Sequence, residues 1–136
     1  METMKPWDRL FTTSAIVSIF VLIITVAIVA QHGTSIVTRI KFARGRTTAV
    51  EKGSVHRGIS HDYLLKAGEA QNMTLHLATS GGVCFSLFSP AMRDQLADCA
   101  RDWEGALPAS GDYRINVLPD TTTERNISYT LEVTVR

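Results

Sequence analysis

Between residues 72 and 135 the chain alternates apolar and polar side chains in four separate runs, and that period of two restricts its fold more than any other feature. Met73, Leu75 and Leu77 alternate with Thr74, His76 and Ala78, and Val83, Phe85 and Leu87 alternate with Cys84, Ser86 and Phe88. Further on, Tyr113, Ile115 and Val117 alternate with Arg114, Asn116 and Leu118, and Tyr129, Leu131, Val133 and Val135 with Thr130, Glu132 and Thr134. Successive side chains of a strand point to opposite faces, so each run reads as a strand with one face packed and one face wet. Turn-forming pairs punctuate the runs: Ala67-Gly68, Gly81-Gly82, Ser89-Pro90, Ser110-Gly111 and Pro119-Asp120. Earlier strands are expected at Ile36–Phe42, Val50–Arg57 and Tyr63–Lys66, and Met92–Ala100 reads as a short turn or helix in the one longer connection. The expected fold is all-β, an antiparallel sandwich of seven to eight strands over residues 36–136.

Ahead of this domain, Leu10 to Ala30 is a run of 21 residues without a charge. As a helix it is long enough to cross a hydrocarbon core of roughly 30 Å. Trp7 stands just outside the run, where an interfacial aromatic belongs. The rival reading is a cleaved signal peptide, but cleavage after Ala30 would put Ile28 at a position that favours small residues. Residues 1–35 are therefore expected to be a short tail, a single transmembrane helix (10–30) and a connector. The N-terminus is expected in the cytoplasm and the domain outside it. Arg39, Lys41, Arg44 and Arg46 would form a basic juxtamembrane patch.

The charge balance narrows the partners. A formal net charge of +1 over 136 residues lacks the basic surplus that nucleic-acid binding needs. The two cysteines, Cys84 and Cys99, cannot supply a four-ligand zinc site. In an oxidising compartment they would pair as a disulfide; the alternative is two buried thiols. The four histidines show no ligand-pair spacing, and the acidic residues Asp94, Asp98, Asp102, Glu104 and Asp112 around Trp103 lack the spacing of a calcium loop. Trp103 itself is expected in the core. Neither a nucleophile elbow nor a phosphate loop nor a zinc-binding HExxH is present. The expectation is a non-catalytic protein with no cofactor and no resident metal.

Four stretches follow in order between Arg39 and Arg136: Phe42-Ala-Arg-Gly-Arg-Thr-Thr-Ala49, Asp62-Tyr-Leu-Leu-Lys-Ala-Gly68, Phe85-Ser-Leu-Phe-Ser-Pro90 and Leu107-Pro-Ala-Ser-Gly-Asp-Tyr113. In them the segment resembles the periplasmic inhibitors of g-type lysozyme, and more broadly the pre-peptidase C-terminal type of bacterial sandwich domain, which implies a bacterial inner membrane for the expected anchor. The resemblance also implies a sandwich in which a Ser-Gly-x-Tyr loop and an arginine-bearing loop engage the lysozyme cleft. Ser110, Gly111 and Tyr113 match the first loop and Arg125 one arginine of the second, so the resemblance implies that Arg125→Ala abolishes inhibition. Pro119–Arg125 otherwise carries threonines and acids where the inhibitors are basic. The leading expectation is accordingly a membrane-anchored binding module, an accessory subunit of an integral membrane complex. Lysozyme inhibition is the alternative, and carbohydrate or calcium binding the third.

Overall fold

A computed structural model describes residues 33–120, 122 and 124–136. The expected transmembrane helix lies outside these residues. Among the described residues, no helix is long and apolar enough to cross a membrane.

Nine strands form two sheets. They are β1 (Thr34–Arg39), β2 (Thr48–Val55), β3 (Ile59–Ala67), β4 (Asn72–Thr79), β5 (Val83–Ser89), β6 (Asp94–Ala100), β7 (Asp102–Ala106), β8 (Gly111–Pro119) and β9 (Ile127–Val135). One sheet has the order β1-β3-β8-β5-β6 and the other β2-β9-β4-β7. The alternating residues of β4, β5, β8 and β9 turn their apolar members into the space between the sheets. Met73, Leu75, Phe85, Leu87, Ile115 and Leu131 are all at or below 1% exposure. Burying such side chains is the main favourable contribution to a fold of this kind.

Three expectations need correction. The sandwich is not wholly antiparallel, because β1 pairs with β3 in parallel register, Thr34 opposite Ile59 through Arg39 opposite Leu64. The strands number nine, since Met92–Ala100 contributes β6 rather than a turn or helix, and β7 follows it. Alternation fails in β6 for a physical reason: its pairing with β5 shifts register twice, and Cys99 adopts a positive φ of 41°. Bulges of this sort put neighbouring residues on the same face and erase the period of two. β7 is a five-residue strand at a sheet edge, and Gly105 leaves the room that the Trp103 ring occupies. Trp103, expected in the core, is half-buried and packs against it from the edge.

Cys84 and Cys99 form a disulfide, which ties β5 to its neighbour β6. Cys99 sits on that strand, not in a loop as the sequence suggested. With a sequence separation of 15 between the two cysteines, the chain-entropy estimate for the cross-link is about 3 kcal/mol.

Candidate functional site

The sandwich has two ends. At one, β3 turns into β4 and β5 into β6, and the β7–β8 loop of residues 107–110 enters β8. This loop is held on three sides. Leu107 is buried, its N–H donates to the Gln71 carbonyl at 2.8 Å, and its own carbonyl accepts from Ala70 N–H at 2.9 Å. Ser110 Oγ accepts the Glu69 N–H at 2.8 Å. Inside the loop, the Tyr113 hydroxyl donates to the Ala109 carbonyl at 2.5 Å and accepts from Ala109 N–H at 3.3 Å. Gly111 has a φ of 149°, a conformation that side chains rarely adopt, and a Cβ built there would lie 3.6 Å from Ala91 Cβ of the β5–β6 turn. That turn closes with Arg93 N–H donating to the Pro90 carbonyl at 3.3 Å.

The Ser-Gly-x-Tyr residues therefore divide by role. Ser110 is exposed at the tip, while Tyr113 is 1% exposed and braces the loop from within the core. Between them, Asp112 faces the other way and forms a two-pronged ion pair with Arg39 of β1, at 2.9 and 3.0 Å. The Arg39 guanidinium holds the Asp112 carboxyl below the usual carboxylate range, and Asp112 in turn raises Arg39.

Arg125 is exposed near the other end of the nine-residue strand β8. Ser110 precedes that strand and Arg125 follows it, so the two lie at opposite ends of the sandwich. Its neighbour Glu124 pairs with Arg57 at 3.1 Å, in the turn between β2 and β3. The structure thus brings Ser110 and Gly111 together with the β5–β6 turn and does not bring them together with Arg125. Nor do the four basic residues stay beside the start of the domain. β1 carries the chain away from Gly33, so that Lys41, Arg44 and Arg46 lie in the β1–β2 connection at the Ser110 end.

The expected acidic stretch is dispersed. Asp102 pairs with the exposed His76 at 2.5 Å, Asn72 donates to Glu104 at 3.3 Å, and Asp98 accepts from Ser86 and Gln95. Among the described residues, the one grouping of three potential metal ligands is Cys84, Cys99 and Asp120, and its two sulfurs are joined to each other.

A second polar cluster leaves little trace in the sequence. His61 Nδ1 is hydrogen bonded to the Tyr129 hydroxyl, which lies 2.7 Å from the Tyr63 hydroxyl. The hydrogen bonds link the two sheets, with Tyr129 standing 68 and 66 residues from His61 and Tyr63. Only a glycine inside a strand, Gly53, hints at it, because the tyrosine and histidine fill the space where a side chain would be. Desolvation raises both tyrosine hydroxyls and lowers His61 below its ordinary value of 6.5. The unfolded chain therefore takes up the His61 proton first. This contribution to stability is complete above pH 6.5 and is lost as pH falls toward the lower folded-state value. Urea unfolding at pH 7.5 and 5.5 is expected to show that loss, and His61→Gln should show less of it. An equal acid loss in the variant would exclude His61 as its source.

No family model and no curated protein sequence matches the chain. Solved structures do. The periplasmic inhibitor of g-type lysozyme from Aeromonas hydrophila, PliG, is 28% identical with a TM-score of 0.69, over 76% of this chain and 98% of that one. Its Salmonella Typhimurium counterpart is 22% identical with a TM-score of 0.60, over 76% and 100% of the two chains. The pre-peptidase C-terminal domain of a Bacillus anthracis collagenase is 15% identical with a TM-score of 0.50, over 76% and 95%, which shows a shared sandwich fold only. The chain resembles the periplasmic inhibitors of g-type lysozyme over nearly their whole length, and it shares with the pre-peptidase C-terminal domain the sandwich on which they are built.

Proposed function

We propose that this protein is a non-catalytic, periplasmic inhibitor of g-type lysozyme that binds the enzyme through the end carrying Ser110 and Gly111. The supporting observation is the likeness to the Aeromonas inhibitor, which spans 98% of that protein at 28% identity. It favours inhibition over an accessory subunit of a membrane complex. The local geometry is suited to the task. Ser110 Oγ already accepts one hydrogen bond from Glu69 N–H, so its own O–H is available to donate outward. Glycoside hydrolases work with carboxyl groups at the scissile bond, and a hydroxyl donor meets such a group favourably. Gly111 adds no side chain, so a partner's backbone can come close. Tyr113 and Leu107 fix the loop before binding, which keeps the entropy lost on association small. The disulfide fits an oxidising compartment such as the periplasm.

Titration of the purified protein against a g-type lysozyme and a c-type lysozyme, with lysis of bacterial walls as the readout, tests this. Stoichiometric inhibition of the g-type enzyme is expected. Ser110→Ala should weaken it by about 10-fold or more, the worth of one hydrogen bond to a charged group. Undiminished lysis by the g-type enzyme at a large molar excess of the protein sinks the proposal.

A further inference from the structure

We infer that Arg93, at the tip of the β5–β6 turn, is the cation that this protein places in an acidic enzyme cleft alongside Ser110, a role the sequence resemblance gives to Arg125. The inference rests on the inhibitor reading and specifies its binding surface.

Four observations converge on the turn. Arg93 has a φ of 51°, in the left-handed region where a side chain crowds its own backbone and glycine is favoured. The four-residue hairpin turn itself uses this angle, with Arg93 N–H closing onto the Pro90 carbonyl, so an arginine stands where the backbone alone favours glycine. Nothing in the fold holds its side chain. Arg93 is exposed, and among the described residues its guanidinium has no hydrogen-bond or ion-pair partner. The adjacent Met92 is 54% exposed, an uncovered apolar side chain beside an uncovered cation. The turn also lies directly against the Ser110 loop, through Ala91 and Gly111. Ser110, Met92 and Arg93 thus stand on two adjoining loops, which meet at Ala91 and Gly111.

Charge at this end favours an acidic partner. Asp112 is neutralised by Arg39, while Lys41, Arg44 and Arg46 sit in the neighbouring β1–β2 connection. The carboxylates at the same end of the strands include Glu69, in the β3–β4 turn, Asp94, at the start of β6, and Glu104, which accepts from Asn72. Complementary charge raises the rate of encounter and selects against partners of like sign. A guanidinium can also grip a carboxylate through two parallel hydrogen bonds, which a lysine cannot do. Arg125, by contrast, stands near the far end of β8, beside the Glu124–Arg57 pair.

The deciding experiment compares the full chain in mild detergent with its Arg93→Gly and Arg125→Ala variants. It measures affinity for a g-type lysozyme and the midpoint of thermal unfolding. Glycine relieves the left-handed strain, so Arg93→Gly should unfold at the same or a higher temperature while binding at least tenfold more weakly. Arg125→Ala should bind as the parent does. A more stable variant with weaker binding cannot be explained by damage to the fold. If the parent binds and Arg93→Gly binds within twofold of it, the inference is overturned and the inhibitor reading stands. If Arg125→Ala shows the larger loss, Arg125 takes the role assigned to Arg93. A parent that binds no g-type lysozyme overturns both.

Discussion

Tyr113→Ala is expected to destabilise the domain by about 3–5 kcal/mol, the range for deleting a large aromatic side chain from a packed core. Tyr113 is 1% exposed and is among the largest fully buried side chains of the fold. The same substitution leaves the Ala109 carbonyl and N–H without the hydroxyl that serves both. Tyr113→Phe separates the two effects. It keeps the ring and removes only those bonds, at a cost of roughly 1–2 kcal/mol. Because the hydroxyl braces the loop bearing Ser110, the phenylalanine variant should remain folded and inhibit lysozyme more weakly. Urea unfolding of both variants, with lysozyme titration of the second, measures this. If Tyr113→Phe is less stable yet inhibits as strongly as the parent, the brace does not set the loop's geometry for binding.

Gly53→Ala is the second substitution with a large expected effect, although it adds a single methyl group. Its Cβ would lie 2.5 Å from the Tyr129 hydroxyl and 2.8 Å from His61 Nδ1. Neither neighbour is a loose side-chain end, since Tyr129 is 3% exposed and hydrogen bonded on both sides. Overpacking costs about 1–3 kcal/mol. Breaking the link between the sheets adds about 1 kcal/mol or more for each buried hydroxyl left unpaired. Together these amount to roughly 2–4 kcal/mol, a fall in melting temperature of about 10–20 °C for a domain of this size. A fall of only a degree or two would mean that the tyrosine and histidine move aside without penalty.

The two positions show what could be read from the sequence. β4, β5, β8 and β9 each present one face to the core over seven to nine residues, so the alternation of residue types reveals them. β6 and β7 do not announce themselves, because bulges and an edge position break the alternation. The parallel partner of β1 is equally hidden, since all six of its residues are exposed and its pairing runs through the backbone. At the tip, the Ser-Gly-x-Tyr motif identifies a loop but not which of its residues face outward. That depends on the Tyr113 hydroxyl reaching back to Ala109. Arg93 carries no motif at all. Its interest comes from a backbone angle and from the turn's contact with Gly111, neither of which is written in residue types.

The parallel course of β1 also decides how the domain can be held. Gly33 enters the sandwich beside Gly58, with Thr34 N–H donating to the Gly58 carbonyl, whereas Arg136 leaves it beside Asn72, next to the strand that leads into the Ser110 loop. The two ends of the described domain are thus handles of opposite kind. A carrier or fusion joined to the domain directly at Gly33 sits at the end away from Ser110, with the length of the sandwich between them. The same attachment at Arg136 sits beside the Ser110 loop and crowds it.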